Sequence, residues 1–327
     1  MEKKIKFQCA IYMGNYGINI YSNYPKVFDI LRKGSFTPFI PEYHCLRTRA
    51  KSDYSIIYIN DEIPSARMFN DNKTLEIKGP LKDVLEASTI PFRAHFMLEQ
   101  QLQKDSIFTT QGAGVSKDGR AVLLMGKRGA GKTSITLELC RKYNYKLIGN
   151  DLVLVGFKKN KGYFFGGAKV FTLRFTTVKY YNTDLQKFFK KDHPNEWTNK
   201  IRLLPKDLAI SIEKKRPKII KAFYVHLLND KSAPLYIQRI GDKEVSYMGR
   251  LYLYEELSRY IRGTCIPIVY GAQFHIGDYL PSLDKPEYHK NRVKFIDWIM
   301  NDVEFYFISG SMNAICGFIN RELSISS

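Results

Sequence analysis

Residues 121–142 read AVLLMGKRGAGKTSITLELCRK, and the order of types in this stretch decides the fold. Ala121 to Met125 is a short, wholly apolar run of the kind carried by a strand buried on both faces. Thr133 to Lys142 predicts a helix, with Ile135, Leu137, Leu139 and Cys140 supplying its apolar contacts. Between them stand Gly126, Lys127, Arg128, Gly129, Ala130, Gly131, Lys132, Thr133 and Ser134. This run fits G-x-x-x-x-G-K-[ST] in full. Glycines let a backbone wrap closely around phosphates so that successive N–H groups point inward. The helix N-terminus that follows adds free donors and a favourable dipole. In such a loop Lys132 would reach the β- and γ-phosphates of ATP, and the Thr133 hydroxyl would sit on Mg²⁺. Lys127 and Arg128 add charge inside the loop, either toward a triphosphate or toward solvent.

Working outward, Tyr145 to Ile148 and Leu152 to Val155 read as strands. Asp151 follows the first of them in Leu147-Ile148-Gly149-Asn150-Asp151. It supplies the carboxylate that a phosphate-binding loop needs for its metal, provided the strand end lies beside the loop. Strand, turn, helix, strand is the opening of an α/β unit. Upstream, Ile5 to Tyr12, Gly17 to Tyr21, Tyr54 to Ile59 and Thr74 to Ile77 are β-rich runs bounded by turn residues. Leu81 to Leu102 reads as a helix broken at Pro91. Downstream, Lys221 to Leu228 and Pro234 to Ile240 read as strands, and Leu251 to Arg262 and Tyr288 to Val303 as helices. The expected fold class is α/β, with a small α+β domain over 1–105 and a domain built on the phosphate-binding loop over 106–327.

The 327 residues carry 51 Lys plus Arg against 32 Asp plus Glu, a net charge of +19. So basic a chain favours an anionic partner. The charge is uneven, +3 over 1–110 and +16 over 111–327. Composition excludes wholesale disorder and low-complexity sequence. The five cysteines, Cys9, Cys45, Cys140, Cys265 and Cys316, are odd in number and widely spaced, which argues against a disulfide framework or a zinc site. The six histidines show no metal spacing. The apolar stretch Phe305 to Ile319 is interrupted by Ser309, Gly310, Ser311, Asn313 and Gly317 and is too short to span a bilayer. The N-terminus lacks a signal-peptide core. A cytoplasmic protein without membrane association is expected.

Over Ile107 to Gly156 the sequence resembles the HPr kinase/phosphorylase family and its relatives, which share a core with ATP-dependent PEP carboxykinases. The shared order is a strand, a small hairpin, a second strand, the glycine-rich loop, a helix and an acidic turn. The resemblance implies transfer of the γ-phosphoryl group of ATP to a hydroxyl, with Thr133 and Asp151 on the metal and a homo-oligomer as the assembly. Three departures stand out. The family has two adjacent aspartates where this chain has Asn150-Asp151. It has a histidine on the strand before the loop where this chain has Gln111, which can orient a group but cannot accept a proton. The family's signature after the loop is not reproduced by Gly166-Gly167-Ala168-Lys169 and Arg174. Gly249-Arg250-Leu251 is similar to a Gly-Arg turn of the family, and Arg250 or Arg174 would then stabilise the transferring group.

Residues 158–231 hold 18 basic and 6 acidic side chains. Lys158, Lys159 and Lys161 adjoin Tyr163, Phe164 and Phe165. Lys179 adjoins Tyr180 and Tyr181, and Lys187, Lys190 and Lys191 flank Phe188 and Phe189. Lys214, Lys215, Arg216 and Lys218 follow. Aromatic faces beside cations suit a nucleic acid, an acidic peptide, or solvent. Gly156 to Lys169 has the composition of a mobile loop beside the acceptor. Three readings remain open: a kinase for a protein, peptide or small-molecule hydroxyl; a kinase for nucleic acid; and a nucleotide-responsive regulator without transfer.

Overall fold

The computed structural model describes residues 4–86, 89–190, 193–240, 243–263, 269–270, 275–276 and 281–325. Cys265 and Lys191 lie outside these residues. The chain is a mixed α/β protein with several sheets, divided into two compact units. The first comprises Met1–Thr109 and Leu253–Lys294, the second Thr110–Tyr252 and Phe295–Ser327.

The first unit is built on β1 (Lys6–Met13), β2 (Tyr16–Ser22), β3 (Tyr43–Leu46), β4 (Ser55–Asn60), β5 (Ser65–Phe69) and β6 (Thr74–Gly79), with α1 at Val27–Lys33 and α2 at Thr89–Lys104. The six strands form one sheet in the order β3-β1-β2-β4-β6-β5. The β2–β4 and β4–β6 pairs are parallel, and the β1–β2 pair is an antiparallel hairpin turned at Gly14, whose φ is +59°. The helix expected over Leu81 to Leu102 is two pieces. Lys82–Glu86 forms a π-type turn and α2 begins at Thr89. Pro91 does not break α2, because it lies in the first turn, where no intrahelical N–H bond is lost.

The sheet of the second unit contains β7 (Ile107–Gln111), β8 (Ala113–Lys117), β9 (Arg120–Met125), β10 (Lys146–Gly149), β11 (Leu152–Lys158), β12 (Lys161–Gly167), β15 (Lys218–Leu227), β16 (Tyr236–Arg239) and β19 (Glu304–Gly310). Its main path runs β10-β8-β9-β15-β12-β11-β7, with β19 pairing β15 and β16. β9 and β15 are parallel, and so are β15 and β19. β10 and β9 both pair antiparallel with β8, so both end on the same side of the sheet. Between these strands lie α3 (Lys132–Lys142), β13 (Phe171–Arg174), α4 (Phe175–Tyr181) and β14 (Lys200–Leu203). The chain continues through α5 (Lys243–Ser258), the short pair β17 (Val269–Tyr270) and β18 (His275–Ile276), α6 (Pro286–Asp302) and α7 (Met312–Ile325).

β9 runs Ala121 to Met125 fully buried, as its composition predicts. Helix α3 buries Ile135, Leu137, Leu139 and Cys140, and α7 buries Met312, Ile315, Cys316, Ile319 and Leu323 at helical spacing. These residues share one core with Phe171, Leu173, Leu203, Phe223 and Val225. The apolar run Phe305 to Ile319 is therefore a strand and most of a helix, parted at Gly310 and Ser311. No helix among the described residues is long and apolar enough to cross a membrane.

Gly156 to Lys169 is not a loop. β11 and β12 pair antiparallel from Val153↔Gly167 to Lys158↔Lys161, with a shift of register between Leu154 and Val155. Their two-residue turn, Lys159-Asn160, has φ of +51° and +58°, the mirror-image turn whose twist matches a hairpin. Glycine in this stretch serves packing rather than mobility. A Cβ on Gly162 would fall 2.1 Å from the Trp298 ring.

Candidate active site

The glycine-rich loop joins the buried end of β9 to the first turn of α3. Gly126, Gly129 and Gly131 have φ of +147°, +87° and +88°, values that side-chain-bearing residues rarely adopt. Two of the three are also pinned by contact. A Cβ on Gly126 would lie 2.7 Å from the Val225 carbonyl oxygen, and one on Gly131 would lie 2.3 Å from Leu227 Cβ. Both neighbours belong to β15, and the Leu227 N–H donates to the Ala130 carbonyl at 3.0 Å. The loop is thus seated on the end of the adjacent parallel strand. Lys127, Arg128 and Gly129 are exposed, while Ala130, Lys132 and Ser134 are buried.

Lys132 Nζ donates to the carbonyl oxygens of Gly126 at 2.7 Å and Lys127 at 3.1 Å. Inside the curve of the loop, the ammonium's two hydrogen-bond acceptors are carbonyls, which carry only partial charge. Phosphate oxygens, with full charge, would outcompete them as acceptors.

Asp151 follows β10 in the left-handed region, at φ +68°. The Thr133 hydroxyl, Lys132 and Arg128 are the groups near enough to its carboxyl to favour the charged form. Burial pushes the Asp151 carboxyl above its ordinary value, against the opposing pull of Lys132, the Thr133 hydroxyl and Arg128. A half-buried carboxylate whose charge is only partly compensated, near a hydroxyl, is the hard-oxygen contribution that Mg²⁺ takes from a protein when phosphates and water complete its shell. Among the described residues no group of three or more His, Cys, Asp or Glu could hold a metal by itself. Thr133 and Asp151 therefore suit a metal that arrives with phosphate.

Asn150, fully buried, faces the other way. Its N–H donates to Ala168 O and its side-chain amide to Val170 O, both at 2.9 Å. The position needs a donor, which an aspartate would lack. Its Oδ1 has no partner among the described residues. Beneath the turn, Gly149 and Gly167 meet backbone to backbone, since a Cβ on Gly149 would lie 2.6 Å from Gly167 Cα. Lys169 Nζ donates to Ile148 O and, at 2.9 Å, to Gly167 O, tying the same strand ends together. Gln111, half-buried at the end of β7, immediately precedes Gly112, whose N–H donates to Asp151 O at 3.1 Å.

The loop residues, Asp151 and the Gln111–Gly112 step are thus brought together. Two expected residues stand apart. Arg174 is exposed at the end of β13, opposite Lys200. Arg250 does not open a helix; it lies inside α5 and pairs with Asp297. Gly249, in the same helix, packs tightly on Ile240, where a Cβ would be 2.4 Å from Cγ2. Two residues further on, Tyr252 is the unexpected participant. Its hydroxyl accepts the Gly126 N–H at 3.2 Å and its ring stands edge-on to Tyr224. No local signal marks a tyrosine 126 positions from its partner.

The basic segment is dispersed over several elements. Lys158, Lys159 and Lys161 crowd the β11–β12 turn, Arg216 stacks on Phe165, and Lys179 pairs with Glu196. Lys221 is buried and bonded to Glu304 and Glu322.

No family model matches the chain, and no curated protein does. Among solved structures, the Hpr(Ser) kinase/phosphatase from Coxiella burnetii is similar over 39% of this chain and 76% of that chain, at 12% identity and a TM-score of 0.24. A similarity this distant leaves the functional reading to the residues themselves.

Proposed function

We propose that the chain is an ATP- and Mg²⁺-dependent phosphotransferase that moves the γ-phosphoryl group to a hydroxyl on a protein, a peptide or a small alcohol. One observation carries the reading: Asp151, half-buried and short of compensating charge, stands near the Thr133 hydroxyl and the Lys132 ammonium at the mouth of a glycine-rich loop. The loop N–H groups and Lys132 bind and orient the triphosphate. Thr133 and Asp151 hold Mg²⁺, which supplies charge neutralisation on the phosphates when bound. Asp151 takes the proton of the acceptor hydroxyl. The acceptor oxygen forms the new bond to phosphorus as the bond to the ADP oxygen breaks. Burial makes Asp151 a stronger base than an exposed carboxylate. Gln111 orients the acceptor or the γ-phosphate.

The test is transfer of label from γ-labelled ATP into a cell extract, with Lys132→Ala as the control. Label that depends on Lys132 and is released by protease or carried on a small alcohol supports the reading. Label released by nuclease makes nucleic acid the acceptor. A second reading, a nucleotide-responsive regulator, is favoured by the commitment of Asn150 to Val170, which leaves a single carboxylate at the turn. Nucleotide binding with no Lys132-dependent label would select it.

A further inference from the structure

β13 and β14 pair antiparallel with each other and with no other strand among the described residues. Phe171, Leu173 and Leu203 turn one face of this ribbon into the core. The other face carries Thr172, Arg174, Lys200 and Arg202. The register sets Arg174 directly opposite Lys200, and Thr172 opposite Arg202. Three cations thus share one face of two four-residue strands, FTLR and KIRL, that contain no acid. Like charges placed directly opposite destabilise a strand pair, so this face is not arranged for stability. Carboxylates of the same segment are engaged elsewhere: Asp184 with Arg141, Glu196 with Lys179, and Asp207 with the Leu204 N–H. Arg174 and Lys200 have no ion pair among the described residues.

The ribbon also starts at the candidate site. Val170 O receives the Asn150 amide, and β13 begins at the next residue. At roughly 3.3 Å per residue, Arg174 lies about 13 Å along the chain from Val170.

We propose that the β13–β14 ribbon docks an acidic, extended stretch of polypeptide that carries the acceptor hydroxyl. The proposal names the substrate class of the phosphotransfer reading and rests on it. Carboxylates over Arg174 and Lys200 would bring a hydroxyl roughly four residues away toward Asp151. A two-stranded ribbon offers strand edges to which an extended peptide adds by main-chain hydrogen bonds, with side chains read alternately. A nucleic acid has no strand to add, and the ribbon's cationic face holds no aromatic ring for base stacking.

The probes are a fluorescein-labelled peptide with one serine among glutamates, its glutamine counterpart, and an oligothymidylate of equal charge, titrated by anisotropy against the full chain. The glutamate peptide is expected to bind at least tenfold more tightly than either of the others. Lys200→Glu is expected to lower that affinity at least tenfold and to raise the melting temperature, because it puts opposite charges across the ribbon. Loss of binding with a gain of stability cannot come from misfolding. Equal binding of the two peptides, or affinity indifferent to Lys200→Glu, overturns the proposal. Tighter binding of the oligothymidylate that Lys200→Glu abolishes overturns it in favour of nucleic acid. A fluorescent ATP analogue is titrated in parallel. Analogue binding with a charge-indifferent peptide sinks the docking surface alone. Charge-dependent peptide binding without analogue binding sinks the phosphotransfer reading, and the acceptor assignment with it.

Discussion

Gly129 and Gly131 form a matched pair that separates backbone strain from steric contact in the loop. Their φ values are +87° and +88°. A Cβ on Gly129 meets nothing within 4 Å, whereas one on Gly131 lies 2.3 Å from Leu227 Cβ and 2.8 Å from its Cδ2. The left-handed conformation costs an alanine about 1–2 kcal/mol at either position. Overpacking against Leu227 adds about 1–3 kcal/mol at Gly131 alone. Gly129→Ala should therefore lose about 1–2 kcal/mol and Gly131→Ala about 2–5 kcal/mol. Urea unfolding followed by tryptophan fluorescence is the assay. Both tryptophans, Trp197 and Trp298, lie in the second unit, so the signal reports the unit that holds the loop. In a Leu227→Gly background, which removes the Cβ together with the rest of the side chain, the two glycine substitutions should cost the same, since only backbone strain remains. Leu227 also bonds the loop through its N–H, so displacing it should weaken ATP binding about tenfold or more, about 1.4 kcal/mol. Equal losses for the two variants in the wild-type background would refute the claim that β15 seats the loop.

Asp151→Asn should raise the melting temperature at neutral pH. The folded carboxyl titrates above 3.8, so the wild-type protein is penalised once pH rises through that higher value, and the gap should close as pH falls toward 3.8. Asn150→Asp should do the reverse, losing at least about 2 kcal/mol at neutral pH because a buried carboxylate would replace the donor to Val170 O, and recovering in acid. Lys221→Met should cost about 1–2 kcal/mol, reduced from a fully buried pair because Glu304 and Glu322 are partly exposed. Lys221 holds the Glu304 carboxyl below its ordinary value of 4.5, so the wild type should lose this stability as pH falls through the lowered value and the variant should not. Arg250→Gln should change stability by less than about 1 kcal/mol, because the pair with Asp297 is half-exposed. A large fall in labelled transfer in the same variant would place Arg250 at the chemistry.

What could be read from the chain was whatever a short segment decides by itself. The β9–loop–α3 unit is legible because an unbroken apolar run, glycines at fixed offsets and a helical pattern follow one another without help from distant residues. Asp151 is legible as the polar stop after an apolar strand. The ribbon is not, because FTLR and KIRL are too short and too charged to signal strands until Phe171, Leu173 and Leu203 find the core shared by α3 and α7. The β11–β12 hairpin was hidden by composition. Lysine, asparagine and glycine suggest a loop, yet Lys159 and Asn160 adopt the turn that joins two paired strands. Tyr252 reaches Gly126 only through the tertiary fold.

The acidic turn shows why residue type alone misleads at such a site. Asn150 and Asp151 are adjacent, but the backbone between them sends the two side chains into opposite duties. One is fixed by a carbonyl that demands an N–H, and the other is set where a hydroxyl and an ammonium favour a carboxylate. Exchanging the two residues would leave composition and charge unchanged, yet it would put a carboxylate against Val170 O and an amide beside Thr133. The chemistry of the turn is therefore fixed by which carbonyl Asn150 meets. That in turn depends on the close passage of Gly149 over Gly167, which neither strand encodes without the other.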